Sequence, residues 1–202
     1  MKVIVGLGNP GKEYAETRHN VGWWFIDHLA DVWRFEGWRK DGVASVCAGR
    51  IGNTPVRLVK PLTFMNLSGE ALRPYLRRPF WSAQTDLLIV LDEVALPLGS
   101  SRYRAKGSPG GHNGLKSVQH EMKTADYARL RIGIRPEDER RIGDLSDFVL
   151  DRFGRDEAEI TRATFPAMAE LCDTWVRGGD AAVQRLLSQR ARPSSDDATP
   201  DA

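Results

Sequence analysis

Asn9, Tyr14, His19 and Asn20 stand in one polar stretch, "GNPGKEYAETRHN", that directly follows the apolar run Val3-Ile4-Val5. Polar groups held just past the C-terminal end of a buried strand occupy the place where α/β folds collect their sites. A lone histidine is more often structural than catalytic, so His19 needs a partner, and Asp92 offers one. The apolar run Leu87 to Leu91 ends at Asp92 in the same sense that Val3 to Val5 leads to Asn9. Neighbouring strands would bring both ends to one rim. A carboxylate at an imidazole Nδ1 fixes the tautomer and stabilises the imidazolium formed when Nε2 takes a proton.

No nucleophile completes a triad. There is no Gly-x-Ser-x-Gly elbow, neither Cys47 nor Cys172 sits in a motif, and Ser68 and Ser108 read as a helix cap and a loop residue. A His–Asp pair without a nucleophile activates water directly, which points to hydrolysis of a fairly reactive bond such as an ester. The oxyanion would then need donors, and side-chain amides serve. Asn9, Asn66 and Asn113 lie in the distinctive loops "GNPG", "TFMNLSG" and "GGHNGL". One such asparagine is an ordinary turn former; three in such contexts are harder to dismiss. The four histidines form neither a His-x-x-x-His nor a His-Glu-x-x-His arrangement, so no metal and no cofactor is expected.

The glycines Gly6-x-Gly8-x-x-Gly11 invite a different reading, a dinucleotide-binding turn. That turn requires a helix opening at the loop and an acid about 20 residues on, at the end of a second strand. Here Pro10 interrupts the glycines, Lys12 to Arg18 delays the helix, and Asp27 and Asp31 fall on a helix. The match is read as incidental, and a dinucleotide-dependent oxidoreductase is kept only as a minor alternative.

The elements that must position these residues follow from periodicity and turn signals. Lys2 to Val5 reads as a buried strand and about Asn20 to Trp33 as a helix with an apolar face. Ser45 to Ile51 and Val56 to Lys60, joined by Gly52-Asn53-Thr54-Pro55, read as a hairpin. Ser68 would cap a helix running toward Arg77. Strands follow at 86–91, 101–105 and 128–134, with a helix from about Asn113 to Met122. The last element is a helix from about Asp156 to Gln189, which Pro166 and Gly178-Gly179 should interrupt. This order predicts an α/β fold, a single domain over 1–190 with a mixed twisted central sheet flanked by helices. The polar residues 191–202 are expected to be a disordered tail.

The chain of 202 residues, 41% hydrophobic, suits one globular domain. No apolar run nears the roughly 18 residues of a membrane span, and two scattered cysteines suit a reducing compartment, so a cytoplasmic protein without a membrane partner is expected. Net charge is only +2, but residues 42–69 and 94–120 contain no acid, whereas 135–160 hold nine carboxylates. If the acid-free segments, with Arg50, Arg57 and Lys60 in one and Arg102, Arg104, Lys106 and Lys116 in the other, share a face, that face suits a polyanion such as nucleic acid.

The segments "VGLGNPGKEYAETRHNVG", "KPLTFMNLSGEAL", "DLLIVLDEV" and "GSPGGHNGLKSV", with "ARLRIGI" in support, resemble bacterial-type peptidyl-tRNA hydrolases from residue 3 to about 134. The resemblance implies one α/β domain that releases peptide from tRNA by cleaving the ester to the terminal ribose, as a monomer and without a cofactor. It implies His19 as general base, Asp92 as its orienting partner, and Asn9 as the group that distinguishes a blocked from a free α-amino group. Asn66 and Asn113 would hold peptide and water or the tRNA 3′ end. Tyr14, Phe64 and Met65 would line the cleft, and Arg102, Arg104 and Lys106 would meet phosphates. His112 would contact substrate or brace the loop before Asn113. Pro109, Val94 and Arg104 depart from the usual pattern, which bears on loop mobility and RNA contacts but removes no chemical group. Two rivals remain: a non-enzymatic RNA-binding relative like the plant organelle intron-splicing factors, and a general esterase.

Overall fold

Val3-Ile4-Val5 and the run Leu87 to Leu91 are apolar without alternation, the pattern of strands covered on both faces, and every one of these side chains is fully buried. The computed structural model describes residues 1–191. Its strands are β1 (Lys2–Gly6), β2 (Arg39–Asp41), β3 (Ala44–Ile51), β4 (Thr54–Pro61), β5 (Leu87–Pro97), β6 (Ser101–Arg104) and β7 (Ala128–Arg135). The helices are α1 (Val21–Trp33), α2 (Arg73–Leu76), α3 (Ala83–Asp86), α4 (Asn113–Met122), α5 (Leu145–Leu150), α6 (Arg155–Ala163) and α7 (Phe165–Arg190).

The strands form one mixed sheet in the order β2-β3-β4-β1-β5-β7-β6. β1 pairs in parallel with both β4 and β5, and β5 in parallel with β7, while the hairpin β3/β4 and the edge pairs β2/β3 and β6/β7 are antiparallel. One core joins α1 and α7 to the sheet through Phe25, Ile26, Phe165 and Trp175; the other joins α4 and the segment around Met65–Leu72 to it through Val5, Ile89, Leu115 and Val118. Val3 lies opposite Leu87 and Gly6 opposite Val90, so Asn9 and Asp92 do reach one rim.

The loop glycines after β1 are a packing device. A Cβ on Gly6 would stand 2.3 Å from the Gly22 carbonyl oxygen, and one on Gly22 would stand 2.5 Å from the Leu7 oxygen and 2.7 Å from that of Val90. Backbone therefore meets backbone where α1 starts. Two 3-10 turns, Lys12–Tyr14 and Arg18–Asn20, intervene before the helix, so no helix N-terminus faces the glycines and the dinucleotide reading falls.

Several expectations are corrected. Ser68 caps no helix: it lies in the 3-10 segment Met65–Leu72 and its hydroxyl donates to the Met65 carbonyl at 2.8 Å. The tight segment lets Gly69 approach α4, where its N–H donates to Ser117 Oγ at 3.0 Å. Asp92 does not end its strand, because β5 continues past an irregularity between Glu93 and Pro97. The final helix, by contrast, is interrupted where expected: α6 ends at Ala163 just ahead of Pro166, which sits in the first turn of α7 where its missing N–H costs nothing, and α7 breaks at Gly179 (φ 64°, ψ −163°). The charged strand β2 and the short α5 have no counterpart in the periodicity. The expected tail from 192 onward lies outside the described residues.

The acid-free segments do not form one basic face. Three strands separate β4 from β6, and two of the first segment's three cations have acidic partners: Lys60 lies 2.5 Å from Asp27 and Arg57 3.3 Å from Asp41.

Gly22→Ala should be destabilising by about 1–3 kcal/mol net, because overpacking against two carbonyls exceeds the roughly 1 kcal/mol that alanine contributes in a helix. Chemical denaturation reads this directly; an unchanged or raised midpoint would show that the strand–helix approach is not the constraint.

Candidate active site

A cleft of about 600 Å³ opens beyond the C-terminal end of β1, beside Asp92, Glu93 and Val94 of β5. Its lining includes a polar group, Asn9, His19, Asn66, Asp92, His112 and Asn113, an apolar group, Phe64, Met65, Val94, Leu145, Val149 and Leu150, and at its margin the charged or polar Glu93, Arg131, Asp144 and Ser146.

His19 sits on the turn Arg18–Asn20, and its Nδ1 lies 2.8 Å from Asp92 Oδ1. The same oxygen lies 3.0 Å from Nε2 of His112. His112 is the N-cap of α4, and its Nδ1 accepts the Leu115 backbone N–H at 3.4 Å. A neutral imidazole that accepts at Nδ1 carries its proton on Nε2, so His112 donates to Asp92. An ionised carboxylate only accepts, so His19 donates as well, through Nδ1. Nε2 of His19 is then the nitrogen that can take a proton.

Asp92 is 3% exposed. Burial works against its charge, but attraction to His19 and His112 and their two hydrogen bonds prevail and hold the carboxyl far below the usual carboxylate range. For His19, burial disfavours the imidazolium, yet the charge and hydrogen bond of Asp92 outweigh it, and the pKa is raised above 6.5. The three side chains also offer donor atoms within 4.8 Å of one another, a set that a transition-metal ion accepts. Nδ1 of His19 and Nε2 of His112 are already engaged with one carboxylate oxygen, so an ion taking those atoms would displace the hold on His19. Separations of 73 and 20 residues hide this cluster from any spacing motif.

Asn9 is fixed on every side but one. Its backbone N–H donates to Asn20 Oδ1 at 2.8 Å, its carbonyl accepts from Asn20 Nδ2 at 2.9 Å, and its Oδ1 accepts the Met65 N–H at 2.7 Å. That leaves the Nδ2 amide hydrogens for the cleft. Asn66 and Asn113 line the cleft but are exposed, with Asn113 accepting only from Lys116 at 3.5 Å.

The peptidyl-tRNA hydrolase family profile matches residues 3–194. The peptidyl-tRNA hydrolase of Gemmatimonas aurantiaca is 57% identical over 180 residues, covering 89% of this chain and 95% of the relative. That of Brevibacillus brevis is 42% identical, covering 88% and 92%. Among solved structures, a complex of peptidyl-tRNA hydrolase with N-propanol superposes with a TM-score of 0.82 at 32% identity, covering 94% of this chain and 93% of the other. The Acinetobacter baumannii enzyme does so with 0.74 at 32%, covering 94% and 91%.

The chain belongs to the peptidyl-tRNA hydrolase family.

In this family member, an ester hydrolase, the structure brings Asn9, His19, Asn66, Asp92, His112, Asn113, Phe64 and Met65 to one cleft. Tyr14 is not among the lining residues; its ring meets the edge of Phe64 with centroids 6.3 Å apart. Arg102 and Arg104 stand away from the cleft on the edge strand β6, with Lys106 just beyond it, all three exposed. Directly across from them on β7 are Arg131 and Arg129, so four arginines share one face of the sheet. Arg131 pairs with Glu93. Arg129 is wholly buried, its guanidinium carbon 4.3 Å from the Tyr127 ring centroid, and two of its three nitrogens have no partner among the described residues. Like charges directly opposite repel. The only sequence signal for this pair was the two-residue spacing in "ARLRIG". Asn20, singled out with Asn9 and His19 in the sequence, had no role there that spacing could reveal, since it serves to hold Asn9, and the whole of α5 was missed because its wall-forming residues are too few for a period.

Replacing Asp92 by Asn removes the charge and keeps the shape. His19 then faces burial without its counter-charge, so its titration, followed by NMR of the ring protons, should move from above 6.5 to below it. A midpoint that stays above 6.5 would mean that Asp92 does not sustain the imidazolium.

Proposed function

We propose that this chain hydrolyses the ester between peptide and tRNA in peptidyl-tRNA, using water activated by His19, with neither a protein nucleophile nor a metal ion. The observation that carries the reading is the His19 Nδ1 contact to Asp92 at 2.8 Å, which leaves Nε2 available in the cleft that Asn9 also lines. Water loses a proton to Nε2 as it attacks the ester carbonyl, and the buried Asp92 stabilises the imidazolium. As the intermediate collapses, the bond to the ribose oxygen breaks and the imidazolium returns the proton to that oxygen. The Asn9 Nδ2 group is a donor for the developing oxyanion or for the blocked α-amide of the peptide. Its three backbone and side-chain tethers mean that it needs little reorganisation.

Asn66 and Asn113, exposed at the mouth, suit the peptide backbone and the 3′ terminal ribose. Phe64, with Tyr14 at its edge, and Met65 offer apolar contact. The exposed cations Arg102, Arg104 and Lys106 suit the phosphates of the acceptor arm. The role of His112 is to share Asp92 and brace α4. No helix among the described residues is long and apolar enough to cross a membrane. A cytoplasmic monomer acting in translation completes the reading.

The test is release of amino acid from N-acetylated and from free aminoacyl-tRNA, without added metal, by wild type and His19→Ala. Cleavage of the blocked substrate alone, reduced by roughly 10²–10⁴-fold in the variant with tRNA binding retained, is expected for loss of a general base. Substantial activity in the variant would exclude His19, and tight tRNA binding with no cleavage by wild type would make the chain an RNA-binding relative. Because the base must be neutral, wild-type kcat/KM should fall as pH drops through the raised His19 pKa, above 6.5; a profile flat across pH 5–8 would exclude it.

Replacing Arg102 and Arg104 with alanine should weaken tRNA binding and flatten its dependence on salt by about one to two released counterions. An unchanged slope would put the RNA elsewhere.

A further inference from the structure

Arg18 directly precedes His19, yet no hydrogen bond among the described residues joins its side chain to His19 or Asp92. Its side chain is 6% exposed. Nη2 lies 2.9 Å from Glu157 Oε2, and Nη1 donates to the Phe148 carbonyl at 3.2 Å. The guanidinium carbon is 4.2 Å from the centroid of the Phe148 ring, in the range of a cation–π contact. Glu157 is itself fixed, since Oε2 also accepts the Gly154 N–H at 2.9 Å and Oε1 lies 3.1 Å from Arg141.

Backbone bonds tie the same segments together. The Arg18 N–H donates to the Asp151 carbonyl at 3.0 Å, the Phe153 N–H donates to the Glu16 carbonyl at 3.1 Å, and Thr17 bridges Arg152 between them. Helix α5 stands immediately before this strip. Leu145, Val149 and Leu150 face the cleft, while Phe148 is buried on Arg18. One side of a single helical turn and a half is thus a cleft wall, and the other rests on the residue next to His19. Six residues make too short a helix to hold itself, so its position depends on what it is bonded to.

We infer that Arg18 is a positioning residue, which through Glu157 and Phe148 fixes the apolar α5 wall at a set distance from His19 and thereby sets how the enzyme receives the peptide end of its substrate. The inference rests on the reading of His19 as the base. It differs from a purely stabilising role in what it affects. Displacing the wall alters substrates whose peptide reaches it and leaves the His19–Asp92 chemistry alone.

Two variants test it without deleting a buried charge outright. Arg18→Lys keeps a cation for Glu157 but loses the planar fork that also bonds the Phe148 carbonyl. Glu157→Gln removes the ion pair and keeps an amide oxygen for the Gly154 N–H. For each, kcat and KM are measured on N-acetyl-aminoacyl-tRNA and on a tRNA bearing a longer, apolar-rich peptide, well below the melting temperature of the variant. The expected result is a loss in kcat/KM of roughly tenfold to a hundredfold on the longer substrate, the scale of an ångström of misplacement, with the N-acetyl substrate little changed and the acid limb of the pH profile unmoved. The two losses should not add, since both break one clamp. Equal losses on both substrates, no loss with either variant, or a shifted acid limb would overturn the inference. Should His19→Ala remain active, the base reading fails by itself, and the comparison of long and short peptides still reports whether the clamp sets the wall.

Discussion

One buried carboxylate oxygen, Asp92 Oδ1, receives both His19 and His112. Moving a carboxylate out of water costs several kcal/mol unless it is well hydrogen-bonded, and two imidazole N–H groups compensate this one. The site's other features are arranged around that exchange. His112 closes the loop that carries Asn113 and caps α4, while His19 is left in the tautomer whose outer nitrogen is basic. Loss of the side chain would release both rings, and with them the geometry of the loop and of the turn before α1, whereas loss of the charge alone removes the imidazolium's counter-charge.

The backbone has to bring a residue near the start of the chain to one in its middle, and the sheet does so by setting β1 in parallel beside β5. The fit is tight because glycine meets glycine where α1 begins, so the turn bearing His19 is pressed against the strand ends. Asn20 then holds the Asn9 backbone at two points. Rigid elements supply the polar half of the cleft. The apolar half is drawn from less regular pieces, a 3-10 segment on one side and the short α5 on the other, which are held by specific contacts of Arg18, Ser68 and Gly69.

Charge is organised at a second place, the β6/β7 edge. Four arginines share one face; Arg131 is paired with Glu93, Arg129 is wholly buried, and Arg102 and Arg104 are exposed, so the cost of their mutual repulsion is borne unevenly. Toward the other edge of the sheet Arg57 and Lys60 are each balanced by an aspartate. Positive charge is therefore concentrated close to the loop that leads from β6 to Asn113 and the cleft.

The sequence by itself determined the elements with a strong period or an unbroken apolar run: β1, β5, β7, the β3/β4 hairpin, α1 and α4. It also determined the chemical inventory, a histidine, a carboxylate and three asparagines without a nucleophile, because those residue types and their loops are local facts. Tertiary structure alone decided what depends on distance between segments far apart in the chain. It placed His112 on the same oxygen as His19, made Asn20 the anchor of Asn9, split the acid-free segments to opposite sides of the sheet, and set Arg129 and Arg131 across from Arg104 and Arg102. It also decided α5, Ser68 and the continuation of β5 past Asp92, since short or irregular backbone takes its conformation from the contacts it meets and not from its own propensity.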